Sequence, residues 1–125
     1  MTAMSEARRL LIVDDEQDFA ETVSLIAARL GYAVRTVDSR RTFEAAAVEL
    51  QPTVVVVDMV MPDFDGNEAL AWLADRAFAG RIVIITGFDQ AQAEIAARLA
   101  RVRGLEDISC LSKPVRPDQI RDVLA

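Results

Sequence analysis

Thr53-Val-Val-Val-Val-Asp58 is the stretch that decides the fold: four valines in a row, with an acid directly after them. β-branched side chains favour extended backbone. An apolar run that does not alternate with polar residues is the signature of a strand covered on both faces. Arg9-Leu-Leu-Ile-Val13 has the same form upstream and runs straight into Asp14 and Asp15. Between these two runs the spacing changes. Phe19, Val23, Ile26, Ala27 and Leu30 fall on one helical stripe, which Gly31 stops. Tyr32 to Val37 alternates, as an edge strand does. Ser39 is placed to cap a second helix with Phe43, Ala46, Ala47 and Leu50 inward and Pro52 closing it.

Downstream of Asp58, Met59 to Gly66 reads as a loop, with Pro62, Asp63, Asp65 and Gly66 as turn residues. A helix is expected from Asn67, with Leu70, Leu73 and Ala77 inward and a stop near Gly80. Arg81 to Ile85 is another apolar strand, ending at Thr86-Gly87. The next helix shows Ala91, Ile95, Leu99 and Val102 as its inner stripe, with Gly104 as its stop. Ile108 to Ser112 is a short last strand before Lys113-Pro114, and Asp118 to Leu124 is a final, short helix. Five strands alternating with five helices predict an α/β fold with a parallel sheet and helices on both faces. Right-handed crossovers make the doubly wound (βα)5 flavodoxin-like arrangement, strand order 2-1-3-4-5, the leading choice.

The 125 residues fit one domain, spanning 1–125 with a core from about 8 to 124. Cys110 is the only cysteine, so no internal disulfide or cysteine-rich zinc site can form, as expected of a cytoplasmic protein. Histidine is absent, which removes Ser-His-Asp and Cys-His catalysis and histidine-ligated metal. The apolar run after Arg8 and Arg9 is cut short by Asp14, too early for a secretory signal, and no run approaches membrane length. A net charge of −6 argues against nucleic acid as a partner. Among thirteen arginines there is a single lysine, Lys113.

In a doubly wound sheet, ligands bind beyond the carboxyl ends of the strands, near the switch point. The residues expected there are Asp14 and Asp15, Asp58, Thr86 and Lys113. A polar residue at one strand end is commonly a cap or turn; the same pattern at four strand ends is not. Two carboxylates ~4 Å apart repel by roughly 4 kcal/mol at an effective dielectric of 20. Such a cluster raises a carboxylate pKa or recruits a cation. With only hard oxygen ligands at hand, that cation is Mg²⁺. Lys113 adds a point charge for the same anion and Thr86 a hydroxyl donor. The set suits a phosphoryl group held beside an aspartate.

Leu11-Ile-Val-Asp-Asp-Glu16, Val57-Asp-Met-Val-Met-Pro-Asp-Phe-Asp-Gly66, Ile85-Thr-Gly87 and Leu111-Ser-Lys-Pro114 together resemble the receiver domains of bacterial two-component response regulators. The likeness covers nearly the whole chain, with the motifs in order. It implies the receiver fold, with Asp58 as phospho-acceptor and a sensor histidine kinase or histidine phosphotransfer protein as donor. It further implies Mg²⁺ bound by Asp15, Asp58 and the backbone carbonyl of Val60, with Asp14 acting through water. Thr86 and Lys113 would contact the phosphoryl oxygens, and Gly66 would shape the loop beneath. An output domain or protein would use the helix 4 face, where a homodimer could also form. Such a domain is not an enzyme in the ordinary sense, since it catalyses only its own phosphoryl transfer and dephosphorylation.

Three positions depart from the family pattern. Cys110 stands where many receivers place an aromatic residue, and reads as a packed strand residue. Val60 and Phe88, two residues after Asp58 and Thr86, offer no hydrogen bond to an attacking water, so slow dephosphorylation is expected. A dehalogenase-type phosphatase would need a second acid where Val60 stands. A nucleotide-binding module would need a glycine-rich turn where Asp14-Asp-Glu16 stands. A phosphorylation-silent receiver, acting as a protein–protein platform, is the remaining alternative.

Overall fold

Val54–Asp58 forms the middle strand of a five-stranded parallel sheet and is buried along its whole length. The structure, a computed structural model, describes residues 7–62, 64–87 and 90–125. In chain order the main elements are β1 (Arg8–Val13), α1 (Gln17–Arg29), β2 (Tyr32–Val37), α2 (Arg40–Leu50), β3 (Val54–Asp58) and α3 (Gly66–Asp75). They continue with β4 (Arg81–Thr86), α4 (Gln90–Val102), β5 (Asp107–Ser112) and α5 (Pro117–Leu124). The strands lie in the order β2-β1-β3-β4-β5, the doubly wound order the alternation predicts. Among the described residues no helix is long and apolar enough to cross a membrane.

Successive residues of a strand face opposite sides of the sheet, and the valine run supplies both. Val55 and Val57 join Phe43, Leu70, Leu73 and the alanines of α4 on one face. Val54 and Val56 join Val23, Ala27, Ile120 and Leu124 on the other. Helices α2, α3 and α4 therefore cover one side and α1 and α5 the other. The eight residues of α5 suffice because Ile120 and Leu124 are both buried. Tyr32 Oη and Arg8 Nη1 donate to the Leu124 carbonyl, at 2.7 and 3.4 Å, and Arg81 Nη1 donates to the Val123 carbonyl at 2.8 Å. These side chains satisfy carbonyls that a helix end leaves unpaired.

Local signals act as expected at most joints. Ser39 caps α2 by accepting from the Thr42 N–H, and Gly31 turns the chain out of α1 at φ +90°, which favours glycine. Three expectations need correction. The Met59–Gly66 segment contains a short antiparallel ladder, Val60–Met61 with Phe64–Asp65. Next, α3 begins at Gly66, capped by Asp65, and ends at Asp75. Ala77 lies past its end, exposed and at φ +56°; Ala69 takes the inward place instead.

The third correction is larger. Ala93, Ala96, Ala97 and Ala100 form the buried stripe of α4, whereas Ile95, Leu99 and Val102 are 57%, 55% and 85% exposed. Both stripes have helical spacing. The helix presents the small side chains to the sheet, so it packs closely, and turns the large ones out.

Candidate functional site

The site is built by the way the strands end. Asp14 still donates its N–H to the Val37 carbonyl at 3.1 Å, so its backbone remains part of the sheet. Its Oδ1 accepts the Glu16 N–H at 2.8 Å, a side-chain turn that bends the chain toward α1. Asp58 repeats the device after β3, its Oδ1 accepting the Val60 N–H at 3.0 Å. Both carboxylates are thereby held at the sheet edge. Met59 donates to the Ile85 carbonyl at 3.0 Å and Lys113 to the Thr86 carbonyl at 2.8 Å, carrying the pairing one residue past β3 and β5. These bonds bring Lys113 alongside Thr86. Asp14, Asp58 and Thr86 are the only buried polar or charged residues among those described, and all three lie at this one edge.

Lys113 ties the acids together. Its Nζ lies 3.4 Å from Asp58 Oδ2, 3.4 Å from Glu16 Oε2 and 3.7 Å from Asp14 Oδ2, and 5.0 Å from the centre of the Phe19 ring. Partial burial works against its charge, but Asp14, Asp58 and Glu16 outweigh that and raise its pKa. Burial likewise dominates at Asp14, whose pKa is raised to about 6, with the Asp58 charge adding to the rise. The Glu16 N–H and Lys113 oppose that rise without cancelling it.

Oxygens of Asp14, Asp15 and Asp58 lie within 4.8 Å of one another. Asp14 Oδ2 is buried and makes no hydrogen bond among the described residues. Its ion pair with the Lys113 ammonium, 3.7 Å away, is long, and a buried carboxylate oxygen so placed inside an acidic cluster is one a further cation satisfies. Asp15, by contrast, is exposed, standing at the mouth of the cleft. The all-oxygen donor set fits a hard divalent ion such as Mg²⁺. Val60 meets Asp58 through its N–H, and its side chain is 72% exposed at the rim.

Gly66 earns its place by contact. A Cβ there would fall 2.8 Å from the Met59 Cα and 3.2 Å from the Asp58 carbonyl oxygen, so only glycine lets the loop close against β3. Cys110 is half-buried and packs against the α2–α4 side of the core. Burial raises its thiol pKa, with Glu94 adding and Arg101 opposing, which suits a packing residue rather than a reactive thiolate. Phe88 and Asp63 lie outside the described residues.

The structure thus brings Asp15, Asp58, Thr86 and Lys113 to the walls of one cleft, with Asp14 buried against Asp15, Asp58 and Lys113. Two partners of Lys113 escape a reading by strand ends, because both belong to the start of α1. Glu16 is the last residue before that helix, and Phe19, in its first turn, serves the cleft as well as the core.

The family profile of the response regulator receiver domain matches residues 10–125. The transcriptional regulatory protein GltR of Pseudomonas aeruginosa is 28% identical over 119 residues, covering 93% of this chain and 47% of GltR. The photosynthetic apparatus regulatory protein RegA of Cereibacter sphaeroides is 30% identical over 118 residues, covering 94% of this chain and 61% of RegA. The chain therefore spans roughly half to three-fifths of these relatives. Among solved structures, the signal receiver domain of a modulated diguanylate cyclase from Desulfovibrio desulfuricans superposes with a TM-score of 0.75 at 26% identity, covering 94% of this chain and 90% of that one. A CheY-like receiver domain protein from Methanospirillum hungatei gives 0.77 at 22% identity, covering 94% of each, and shares the fold. The profile match takes in all four motifs that line the cleft, and the chain belongs to the receiver domains of two-component response regulators.

Proposed function

We propose that Asp58 is the phospho-acceptor and takes its phosphoryl group from a phosphohistidine on a sensor kinase or a histidine phosphotransfer protein. The observation that carries this reading is the setting of Asp58. It is a buried carboxylate at the end of the central strand, 3.4 Å from the only lysine and grouped with two further acids. A carboxylate oxygen of Asp58 attacks phosphorus in line. The phosphorus–nitrogen bond to the partner's imidazole breaks as the new oxygen–phosphorus bond forms, and the electron pair stays on the ring nitrogen. The histidine belongs to the partner, since this chain has none. Lys113 offsets charge on the phosphoryl oxygens and the Thr86 hydroxyl donates to one of them. Asp14, Asp15, Asp58 and the Val60 backbone carbonyl would hold Mg²⁺, which supplies further charge neutralisation at those oxygens.

In this reading residues 1–125 are one receiver domain, acting in the cytoplasm and catalysing only its own phosphorylation and dephosphorylation. The acyl phosphate draws Thr86 inward and biases a two-state equilibrium of the β4–α4 region. The outward stripe of Ile95, Leu99 and Val102 supports α4 as the face for an output partner or a second copy. Intact-protein mass after incubation with acetyl phosphate tests the central assignment. One phosphoryl group is expected, requiring both Mg²⁺ and Asp58 and absent in Asp58→Asn. If neither acetyl phosphate nor a phosphohistidine donor labels the folded, Mg²⁺-loaded protein, the silent-platform alternative replaces this reading.

A further inference from the structure

Ser112 is the residue before Lys113 and the register partner of Thr86 across the β4–β5 ladder. Alternation along the strands puts both side chains on the same face of the sheet. Ile82 and Ile84 of β4, and Ile108 and Cys110 of β5, pack on the side covered by α4. Thr86 and Ser112 continue those two rows toward the carboxyl edge. Neighbouring strands lie ~4.8 Å apart, so side chains paired in register are within reach of each other. Ser112 Oγ is shut off from solvent and has no hydrogen-bond partner among the described residues. Among the described residues it shares that condition with Asp14 Oδ2 alone, and that oxygen lies in the acidic cluster. Buried hydroxyls are normally bonded, because leaving one unpaired forfeits its water without replacement. A hydroxyl left unpaired beside a residue that changes position therefore biases the equilibrium between the two positions.

We infer that Ser112 is a second hydroxyl of the phosphorylation switch, a positioning residue that acts through Thr86. The inference rests on the reading of Asp58 as phospho-acceptor. A hydroxyl has one donor and two acceptor lone pairs. When Thr86 donates its proton to a phosphoryl oxygen, its own oxygen keeps acceptor capacity toward β5. Ser112 then donates to Thr86 Oγ, forming a chain from Ser112 through Thr86 to the phosphoryl group in which each bond strengthens the next. The carboxyl ends of β4 and β5 become locked together only in the phosphorylated form. This assigns a way to carry the change into β5 that needs no aromatic side chain at Cys110, since the coupling runs through the row that also contains Cys110.

Beryllofluoride with Mg²⁺, a stable stand-in for the phosphoryl group, provides the test. Its affinity is measured by calorimetry for wild type, Ser112→Ala and Ser112→Thr, beside the melting temperature of each in the unliganded state. Ser112→Ala is expected to melt no lower than wild type, because it removes a group that bonds nothing there, yet to bind beryllofluoride about tenfold more weakly. Ser112→Thr keeps the hydroxyl and is expected to bind within about twofold of wild type. Amide exchange at the ends of β4 and β5 should slow on binding in wild type and less so in the alanine variant. If wild type and Ser112→Ala bind equally well, or if Ser112→Ala weakens the unliganded protein as much as it weakens binding, the inference falls while Asp58 keeps its role. If wild type binds no beryllofluoride, or Asp58→Asn binds it as well, the reading of Asp58 fails and takes this inference with it.

Discussion

Replacing Asp14 by asparagine should make the Mg²⁺-free protein more stable at neutral pH, although it removes one of the three acids that define the site. In the folded protein the Asp14 pKa is raised from 3.8 to about 6, chiefly by burial, with the Asp58 charge adding to it. A folded-state pKa above the unfolded one means the native state binds the proton more tightly. Stability contributed by this group is greatest at low pH and falls as pH rises from about 3.8 through about 6. Above that window the full cost of the charge is present. A shift of that size corresponds to roughly 3 kcal/mol. The cleft is open to solvent on one side, so half to all of that, ~1.5–3 kcal/mol, is the expected gain. For a domain of this length it amounts to roughly 5–10 °C in Tm. Asparagine retains an oxygen to accept the Glu16 N–H, so the turn into α1 survives. The assay is thermal or urea unfolding of both proteins in EDTA at pH 7.5 and pH 4. The variant should lead at pH 7.5 and lose most of that lead at pH 4. Added Mg²⁺ should stabilise wild type by more than it stabilises the variant, reversing part of the gap by mass action. A variant no more stable than wild type at pH 7.5, or a gap of the same size at both pH values, would refute the account of a strained buried acid awaiting a cation.

Other substitutions probe the loop and the helix ends. Gly66→Ala places a Cβ against Met59 and the Asp58 carbonyl; destabilisation of about 1–3 kcal/mol is expected by urea unfolding. Phosphorylation should slow by tenfold or more, because the backbone that aims Asp58 must shift; an unchanged rate would mean the loop absorbs the methyl group elsewhere. Ala77→Gly relieves a left-handed backbone at φ +56° and should raise stability by about 0.5–1 kcal/mol, with no effect on phosphorylation. Val60 stands exposed beside Asp58 with no group to orient a water, so phospho-Asp58 should persist far beyond seconds in Mg²⁺ buffer. Val60→Asn should shorten that lifetime severalfold by time-resolved intact mass, and rapid decay in wild type would contradict the reading.

The strands and the site were legible in the residues for one physical reason: each apolar run ends abruptly in a group that cannot be buried without a partner. Val57-Asp58, Val13-Asp14 and Ile85-Thr86 mark both a strand and its end, and the fold's topology then brings those ends together. Lys113 was legible through its rarity, but its second acid, Glu16, was not singled out, because contact across 97 residues depends on where α1 starts. The helices were less legible where size and burial part company. Ala93, Ala96, Ala97 and Ala100 follow the i, i+3, i+4, i+7 spacing of a buried face as well as any larger set, yet a reading weighted by hydrophobic bulk picks Ile95, Leu99 and Val102. Alanine costs no side-chain entropy when buried and lets α4 lie close to β4 and β5. The bulkier side chains are then left more than half exposed. The alanines of α4 pack in the cluster that holds Ile82, Ile84, Ile108 and Cys110, the two rows that end in Thr86 and Ser112. In the proposed switch, a rotation of Thr86 would be felt first by its register partner. For that reason Ser112, and not bulk at Cys110, is where the coupling should be sought.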